Sequence, residues 1–364
     1  MYDALALRNR MLKELDSAIE RNMSFPGYWY GDADVSKFEQ EYIIRRSWQP
    51  IGPIASLTKT GDFLTATVAG VPVVLVRDAT GALRGFLNMC RHRGHLVALE
   101  SGNKKVFVCQ YHGWTYRHDG SLLKAPRSDR EPDFDESCFG LIPVRVGAWN
   151  QLGFVNLQYD GPTFEEEFAT LIHTAEENQI GLSKLSYCKT LIWEQDCNWK
   201  TFMDNTADCY HCRLVHPKMG KTHKTDPDDY VTTNFENFTF HISYSRQKRA
   251  NMPSWMACGA WPNWTLQALQ GRITNVRVLE VLGANRIRVR TDFFAPPDSS
   301  QSDIDDAADW YHKLVYGEDR LVCERVARNI MGGRFEEGPI FVGSEQVMQD
   351  FQMKYRRHLQ TLRI

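Results

Sequence analysis

Apolar positions along this chain switch between helical and strand spacing several times. Over residues 3–21, Leu5, Leu12, Leu15 and Ile19 fall on one helical stripe, Asp3 stands at a capping position, and Pro26 and Gly27 follow the end. A second helix is expected next, with Phe38, Tyr42 and Ile43 as its apolar face up to Trp48. Ser36 and Glu39 have capping-box spacing at its start. From about Ser47 the period falls to two. Strands are expected at 71–76, 84–89 and 105–108, among turn signals at Gly61-Asp62, 78–81 and 116–121, and this β-rich stretch closes near Leu157. Helical spacing returns over 164–180 through Phe164, Phe168, Leu171 and Ile172. Strands are expected again at 187–194, 235–240, 273–281 and 286–294. A last helix carries Val347, Phe351, Tyr355 and Leu359, with Ser344 as its cap and the charges at 354–357 as its solvated face. The pattern predicts an α+β protein. Residues 1–46 form a helical arm on the third segment, 47–158 a β-rich domain, and 159–364 an antiparallel sheet covered by helices.

Composition narrows the class. Of 364 residues, 43% are hydrophobic, enough for a sizeable core. Lys+Arg of 43 against Asp+Glu of 45 argues against a nucleic-acid or membrane-surface partner. No apolar run approaches the roughly 18–20 residues that cross a bilayer, and the first residues lack a basic-then-apolar signal. The nine cysteines are read as those of a cytoplasmic protein without disulfides.

Two short loops then carry the chemistry. Cys90 and His92 form a C-x-H pair, and Cys109 and His112 a C-x-x-H pair. Two thiolates and two imidazoles are the ligand balance of a Rieske [2Fe–2S] centre, with Cys on one iron and His on the other. A structural zinc also accepts two Cys and two His, but its usual spacings pair like with like. His95 and His118 complete no ligand pattern and read as structural.

With Asn88, Met89, Arg91, Arg93, Gly94, His95, Tyr111, Gly113 and Trp114 around them, these pairs resemble the Rieske non-haem iron oxygenases, in particular their terminal oxygenase (alpha) subunits. A second stretch extends the resemblance. Asp208, His211 and His216 match that family's acid-x-x-His-x-x-x-x-His motif. His211 and His216 are five apart, so they meet at one metal only if a helix ends near Leu214 and His216 lies on the next turn, before Pro217. An iron that binds O₂ wants two His and one carboxylate on one face. By resemblance Asp319 supplies the carboxylate, with Glu318 and Glu324 as competitors. Ala327 and Asn329 depart from the Gln and Gly common in relatives. The interleaved Cys209 and Cys212 read as packing residues. Trp255, Trp261 and Trp264 read as core anchors, or as an aromatic cage for a cation.

The resemblance implies a division of labour. Cys90, His92, Cys109 and His112 hold the [2Fe–2S] cluster, while His211, His216 and Asp319 hold Fe(2+). Asp208 links a catalytic His to His112 of a neighbouring copy, which implies a homotrimer closed head to tail. No G-x-G-x-x-G is present, so electrons come from a separate flavin/iron–sulfur reductase fed by NAD(P)H. O₂ and a small molecule, aromatic or methylated amine, are the expected substrates. The outcome is aromatic ring dihydroxylation, or monooxygenation with dealkylation, toward which the length and the C-Y-H-C-x-x-x-H-P form lean. The rival readings are a Rieske-type electron carrier and a zinc-stabilised binding module.

Overall fold

The computed structural model describes residues 3–207, 209–226, 228–246, 254–269 and 272–364. The chain divides into two compact units, Arg45–Glu166 and the combination of Met1–Ile44 with Glu167–Ile364.

The first unit is β-rich. Its strands are β1 (Gln49–Pro53), β2 (Asp62–Val68), β3 (Val71–Arg77), β4 (Leu83–Leu87), β5 (Gly102–Asn103), β6 (Phe107–Val108), β7 (Thr115–Tyr116), β8 (Leu122–Lys124), β9 (Pro143–Trp149) and β10 (Leu152–Asn156). Seven form an antiparallel sheet in the order β1-β10-β9-β4-β3-β2-β5, and β6-β7-β8 form a small second sheet. Alternation along β3 divides its side chains between two cores. Val73 and Leu75 pack with Ile51, Leu64 and Val155, while Val74 and Val76 pack with Phe63, Phe86, Phe107 and Trp114. Cys90 and Cys109 belong to that second core, so the cysteine-bearing loops are rooted in packed side chains. The strand expected at 105–108 is only two residues long, because Phe107 alone is buried there.

The second unit begins with α1 (Ala4–Glu20), where the Asp3 carboxylate accepts from the Ala6 amide at 3.0 Å. The next helix, α2, spans Ala33–Tyr42 and corrects the capping-box reading. Asp32 is its cap, accepting from Asp34 and Val35 amides at 2.9 Å, and Ser36 lies inside the helix. Glu39 turns inward. Its carboxylate accepts from Lys200 Nζ and the Tyr355 hydroxyl at 2.7 Å and from Trp199 Nε1 at 2.8 Å, with Glu39 and Lys200 both fully buried. That network ties α2 to α4 (Trp199–Ala207) and to the last helix, after α3 (Phe164–Glu177) has crossed from the first unit. Two short helices follow, α5 (Cys212–Val215) and α6 (Pro217–Thr222).

The sheet of this unit is fully antiparallel in the order β11-β17-β16-β15-β14-β13-β12. Its strands are β11 (Ser186–Gln195), β12 (Tyr230–Asn234), β13 (Phe238–Ser243), β14 (Trp255–Ala260), β15 (Trp264–Leu269), β16 (Thr274–Gly283) and β17 (Arg286–Ala295). The strand expected from 235 starts later, because Phe235 and Phe238 close a turn by an amide–carbonyl bond of 2.9 Å. The three tryptophans do not converge into a cage. Trp264 packs on Phe168, Trp261 on Phe351 and Tyr355, and Trp255 beside Met219.

Helix α7 (Gln301–Asp309), a π-helical segment (Trp310–Tyr316) and α8 (Gly317–Met331) run on without a break. The final helix, α9 (Gln346–Thr361), has Glu345 at its N-cap position with no side-chain cap bond, which corrects the role given to Ser344. Lys354 corrects the solvated-face reading, being buried and bonded to Asp350 and Thr239. No helix among the described residues is long and apolar enough to cross a membrane.

Candidate metal centres

The two loops of the first unit are built alike. In each, the Cys amide donates to the carbonyl five residues on, Cys90 to His95 at 2.7 Å and Cys109 to Trp114 at 2.8 Å. In each, the amide of a glycine four residues on donates back to the Cys carbonyl at 2.9 Å, Gly94 in one loop and Gly113 in the other. Both glycines have φ near +74°, a region that a side chain disfavours, so the turn depends on glycine. Asn88 braces the first loop by accepting from Val97 and Ala98 amides at 3.0 Å.

The sulfurs are buried and the imidazoles exposed. The rings of His92 and His112 lie 4.6 Å apart between centroids, and His92 stacks on Trp114 at 5.1 Å. Burial pushes the Cys109 thiol up, and slight desolvation with the neighbouring His112 and Arg93 lowers the pKa of His92, which favours the neutral form that ligates a metal. Two inner sulfurs and two outer nitrogens fit a [2Fe–2S] cluster with one buried and one solvent-facing iron. The Tyr116 hydroxyl accepts the Arg91 amide at 3.0 Å and lies 3.2 Å from Cys90 Sγ, to which it donates once the sulfur is a metal-bound thiolate without a proton.

The second centre assembles at the end of α4. His211 precedes α5 and His216 lies between α5 and α6, where Pro217 starts the next helix. His216 Nε2 is 2.9 Å and His211 Nε2 3.5 Å from the same Asp319 Oδ1, on the first turn of α8. Glu318, on the same turn, meets the other ring nitrogen, His216 Nδ1, at 2.8 Å. It therefore orients the imidazole, in the way outer carboxylates orient metal-bound His. Glu324 is engaged by Arg320 instead. Burial opposes charge on both partners, yet Asp319 and Glu318 raise the pKa of His216, and His211 and His216 hold Asp319 well below the carboxylate range. Two imidazole nitrogens within 3.5 Å of one carboxylate oxygen make a two-His, one-carboxylate donor set that suits a divalent iron.

Asp208 lies outside the described residues. Cys209 and Cys212 are joined as a disulfide, which corrects the expectation of a chain without one. The turn between them brings their Cα atoms to 4.7 Å, within bridging distance. A cavity of about 270 Å³ opens beside His211, lined also by Asp204, Glu345, Tyr30, Tyr210 and Phe335, with no Lys or Arg among its lining residues. The Tyr30 hydroxyl donates to Asp204 at 2.6 Å. His95 and His118 are structural, each bonded through the ring to a backbone carbonyl, of Leu96 and Lys104.

Comparison with known proteins gives the family. Residues 47–142 match the Rieske [2Fe-2S] domain family, and residues 182–361 match the ring hydroxylating alpha subunit (catalytic domain). The second match removes the reading as a free-standing electron carrier, and the first the reading as a zinc module. Choline monooxygenase, chloroplastic, from Arabidopsis thaliana is 31% identical over 356 residues, covering 91% of this chain and 82% of that protein. The carnitine monooxygenase oxygenase subunit of Acinetobacter pittii is 26% identical over 339 residues, covering 90% and 89%. The crystal structure of the quaternary ammonium Rieske monooxygenase CntA with L-carnitine superimposes with a TM-score of 0.82 at 25% identity, covering 94% and 97% of the two chains.

Proposed function

Since this chain belongs to the Rieske non-haem iron oxygenases as a terminal oxygenase subunit, we propose that it hydroxylates a carbon bonded to the nitrogen of a quaternary ammonium substrate. One atom of O₂ enters the C–H bond, and the other leaves as water with two electrons and two protons. The resulting N–C–OH group then loses its C–N bond, giving an aldehyde, a tertiary amine and a proton. When bound, the cluster supplies single electrons and the mononuclear iron activates O₂.

The observation that carries this reading is the meeting of His211, His216 and Asp319 at one carboxylate oxygen. These three would hold the iron on one face, leaving the opposite face for O₂. Glu318 would keep His216 turned with Nε2 inward. Cys90 and Cys109 would hold the inner iron of the cluster, and His92 and His112 the outer one. The acid- and aromatic-lined cavity beside His211 favours a cation over a neutral aromatic ring, and the oxidation of quaternary amines by the relatives supports the same class.

Asp208 would bridge His211 to His112 of a neighbouring copy, within a head-to-tail homotrimer. The electron donor would be a flavin/iron–sulfur reductase that draws on NAD(P)H in the cytoplasm. The test is substrate-dependent O₂ uptake by the holoenzyme with a surrogate reductase, run on a panel of quaternary amines and aromatic acids. Aldehyde release in step with O₂ is expected from the quaternary amines. Uptake driven only by the aromatic acids would refute the reading.

A further inference from the structure

The turn that presents His211 holds a further donor, kept out of use by a covalent bond. His211 stands between Cys209 and Cys212, which are joined as a disulfide with a sequence separation of 3 and Cα atoms 4.7 Å apart. Both cysteines are buried. A loop this short restricts the unfolded chain little, so the bond adds little stability by that route. C-x-x-C is instead the spacing of cysteines that open and close reversibly, and disulfides in a reducing cytoplasm are mostly transient and redox-sensing.

Opening the bond releases a metal ligand at the iron centre. Cys212 Sγ lies 4.0 Å from His211 Nε2 even while bonded to Cys209. Ligand atoms of His211, Cys212 and His216 all lie within 4.8 Å of one another, and the two imidazoles also approach Asp319 Oδ1. In a tetrahedral zinc site, with Zn–N of about 2.0–2.1 Å and Zn–S of about 2.3 Å, a nitrogen and a sulfur ligand stand about 3.6 Å apart. The sulfur thus needs to move roughly half an ångström to share a metal with His211. Such a ligand changes the preference of the site. Two nitrogens and one carboxylate oxygen suit divalent iron, but the intrinsic order of affinities places zinc above iron, and a thiolate favours zinc further. A sulfur bonded to sulfur offers no thiolate, so the disulfide keeps the donor set hard.

We propose that the Cys209–Cys212 pair selects the metal held beside it. As the disulfide, it leaves His211, His216 and Asp319 to hold iron. As the dithiol, it adds Cys212 to them and makes a zinc site of two imidazoles, one thiolate and one carboxylate, from which iron is displaced. The switching step needs two electrons and two protons. A phosphine and one water supply them, giving a phosphine oxide and two thiols. Glutathione disulfide reverses the step by exchange, closing the protein bond and leaving two molecules of glutathione. The Cys212 thiol gives its proton to solvent as it binds zinc. The inference concerns which metal is held, so it stands or falls independently of which substrate is oxidised.

The test incubates holoenzyme with a small excess of zinc, with and without prior treatment by a phosphine, and counts iron and zinc per chain after gel filtration. Untreated enzyme should keep its mononuclear iron and take up little zinc. After reduction, one zinc should replace one iron while sulfide and the visible spectrum of the cluster persist. Glutathione disulfide, added after the phosphine is removed and before zinc, should prevent the exchange. Loss of outer contacts alone changes metal affinity by about 10–100-fold, so a gained sulfur ligand should tighten zinc by about tenfold or more. X-ray absorption at the zinc edge should show one sulfur at about 2.3 Å, a signature that a purely structural disulfide would not produce. Two variants should diverge. Cys209→Ser cannot close the bond but keeps Cys212, and should take up zinc without reductant. Cys212→Ser lacks the sulfur and should keep its iron after phosphine treatment. Zinc uptake that ignores the reductant, a zinc shell without sulfur, or variants that behave alike would overturn the proposal. If neither variant folds with its cluster intact, the reductant dependence and the zinc-edge spectrum of the wild type decide it.

Discussion

Replacing Tyr116 by Phe removes one hydroxyl beside the cluster, and with it a donor to the sulfur and an acceptor for the Arg91 amide. The hydroxyl accepts that amide at 3.0 Å and lies 3.2 Å from Cys90 Sγ, and toward a cluster-bound thiolate, which carries no proton, it is the donor. Burial, then the proximity of Cys90, raises the pKa of this phenol, so it remains a donor across the working pH range. A hydrogen bond to a charged acceptor contributes about 1.5–3 kcal/mol against about 1 for a neutral pair, so one added electron should strengthen this bond by at most about 0.5–2 kcal/mol. The donor therefore favours the reduced cluster. For a one-electron couple 59 mV corresponds to about 1.4 kcal/mol, so Tyr116→Phe should lower the midpoint potential by about 20–85 mV. The assay is a redox titration of the purified oxygenase followed by the paramagnetic resonance of the reduced cluster. The Arg91 amide keeps its position in the loop, so the spectrum should retain its shape while the midpoint moves. A shift of less than about 10 mV, or one to higher potential, would refute the assigned direction of the hydrogen bond.

Four further outcomes are expected. Glu39→Gln leaves Lys200 buried without a full counter-charge and should destabilise the protein by about 3–5 kcal/mol in urea titrations, whereas Glu39→Leu combined with Lys200→Met should recover most of that loss. A single-variant loss below about 1 kcal/mol would show the pair to be dispensable. Asp319→Ala should reduce iron from three to two per chain while sulfide and the visible spectrum of the cluster persist; unchanged iron would place the third ligand elsewhere. Asp208→Asn should retain both metals yet slow electron passage between them, and an undiminished single-turnover rate would contradict the bridge. His241 adds a pH signature. Burial, aided by Lys354, pushes its pKa down to about 3, against about 6.5 when unfolded. The unfolded chain thus takes up a proton below pH 6.5 that the folded chain refuses. Stability should be complete above pH 6.5 and fall by up to about 1.4 kcal/mol per pH unit as pH drops toward 3. His241→Asn should remove that component of the acid slope, and parallel profiles for the two proteins would count against it.

What could be read in the sequence, and what could not, follows from how local each determinant is. The cluster loops are short and self-contained. Each is closed by its own Cys and Gly backbone bonds, so the spacing of Cys90, His92, Cys109 and His112 already carries the shape. The His211–His216 spacing also describes a real local event, a helix that stops before Pro217. Asp319 arrives from about one hundred residues away, and only the packing of α8 against α4 distinguishes it from Glu318 on the same turn. Glu39 shows the opposite failure. Its spacing from Ser36 satisfied a local rule, but Asp32 caps the helix and burial against Lys200, Trp199 and Tyr355 decides where Glu39 goes. The strand β14 escaped for want of alternation, since its Ala, Cys and Gly positions carry no period-two signal. Arg277 is the extreme case. In a strand pattern an arginine reads as the solvent-facing half of the alternation. Here the face it occupies is covered by α4 and the π-helical segment, and Thr265 and Thr291 stand beside it in register. A buried polar row made from one residue on each of three strands leaves no mark at any fixed spacing.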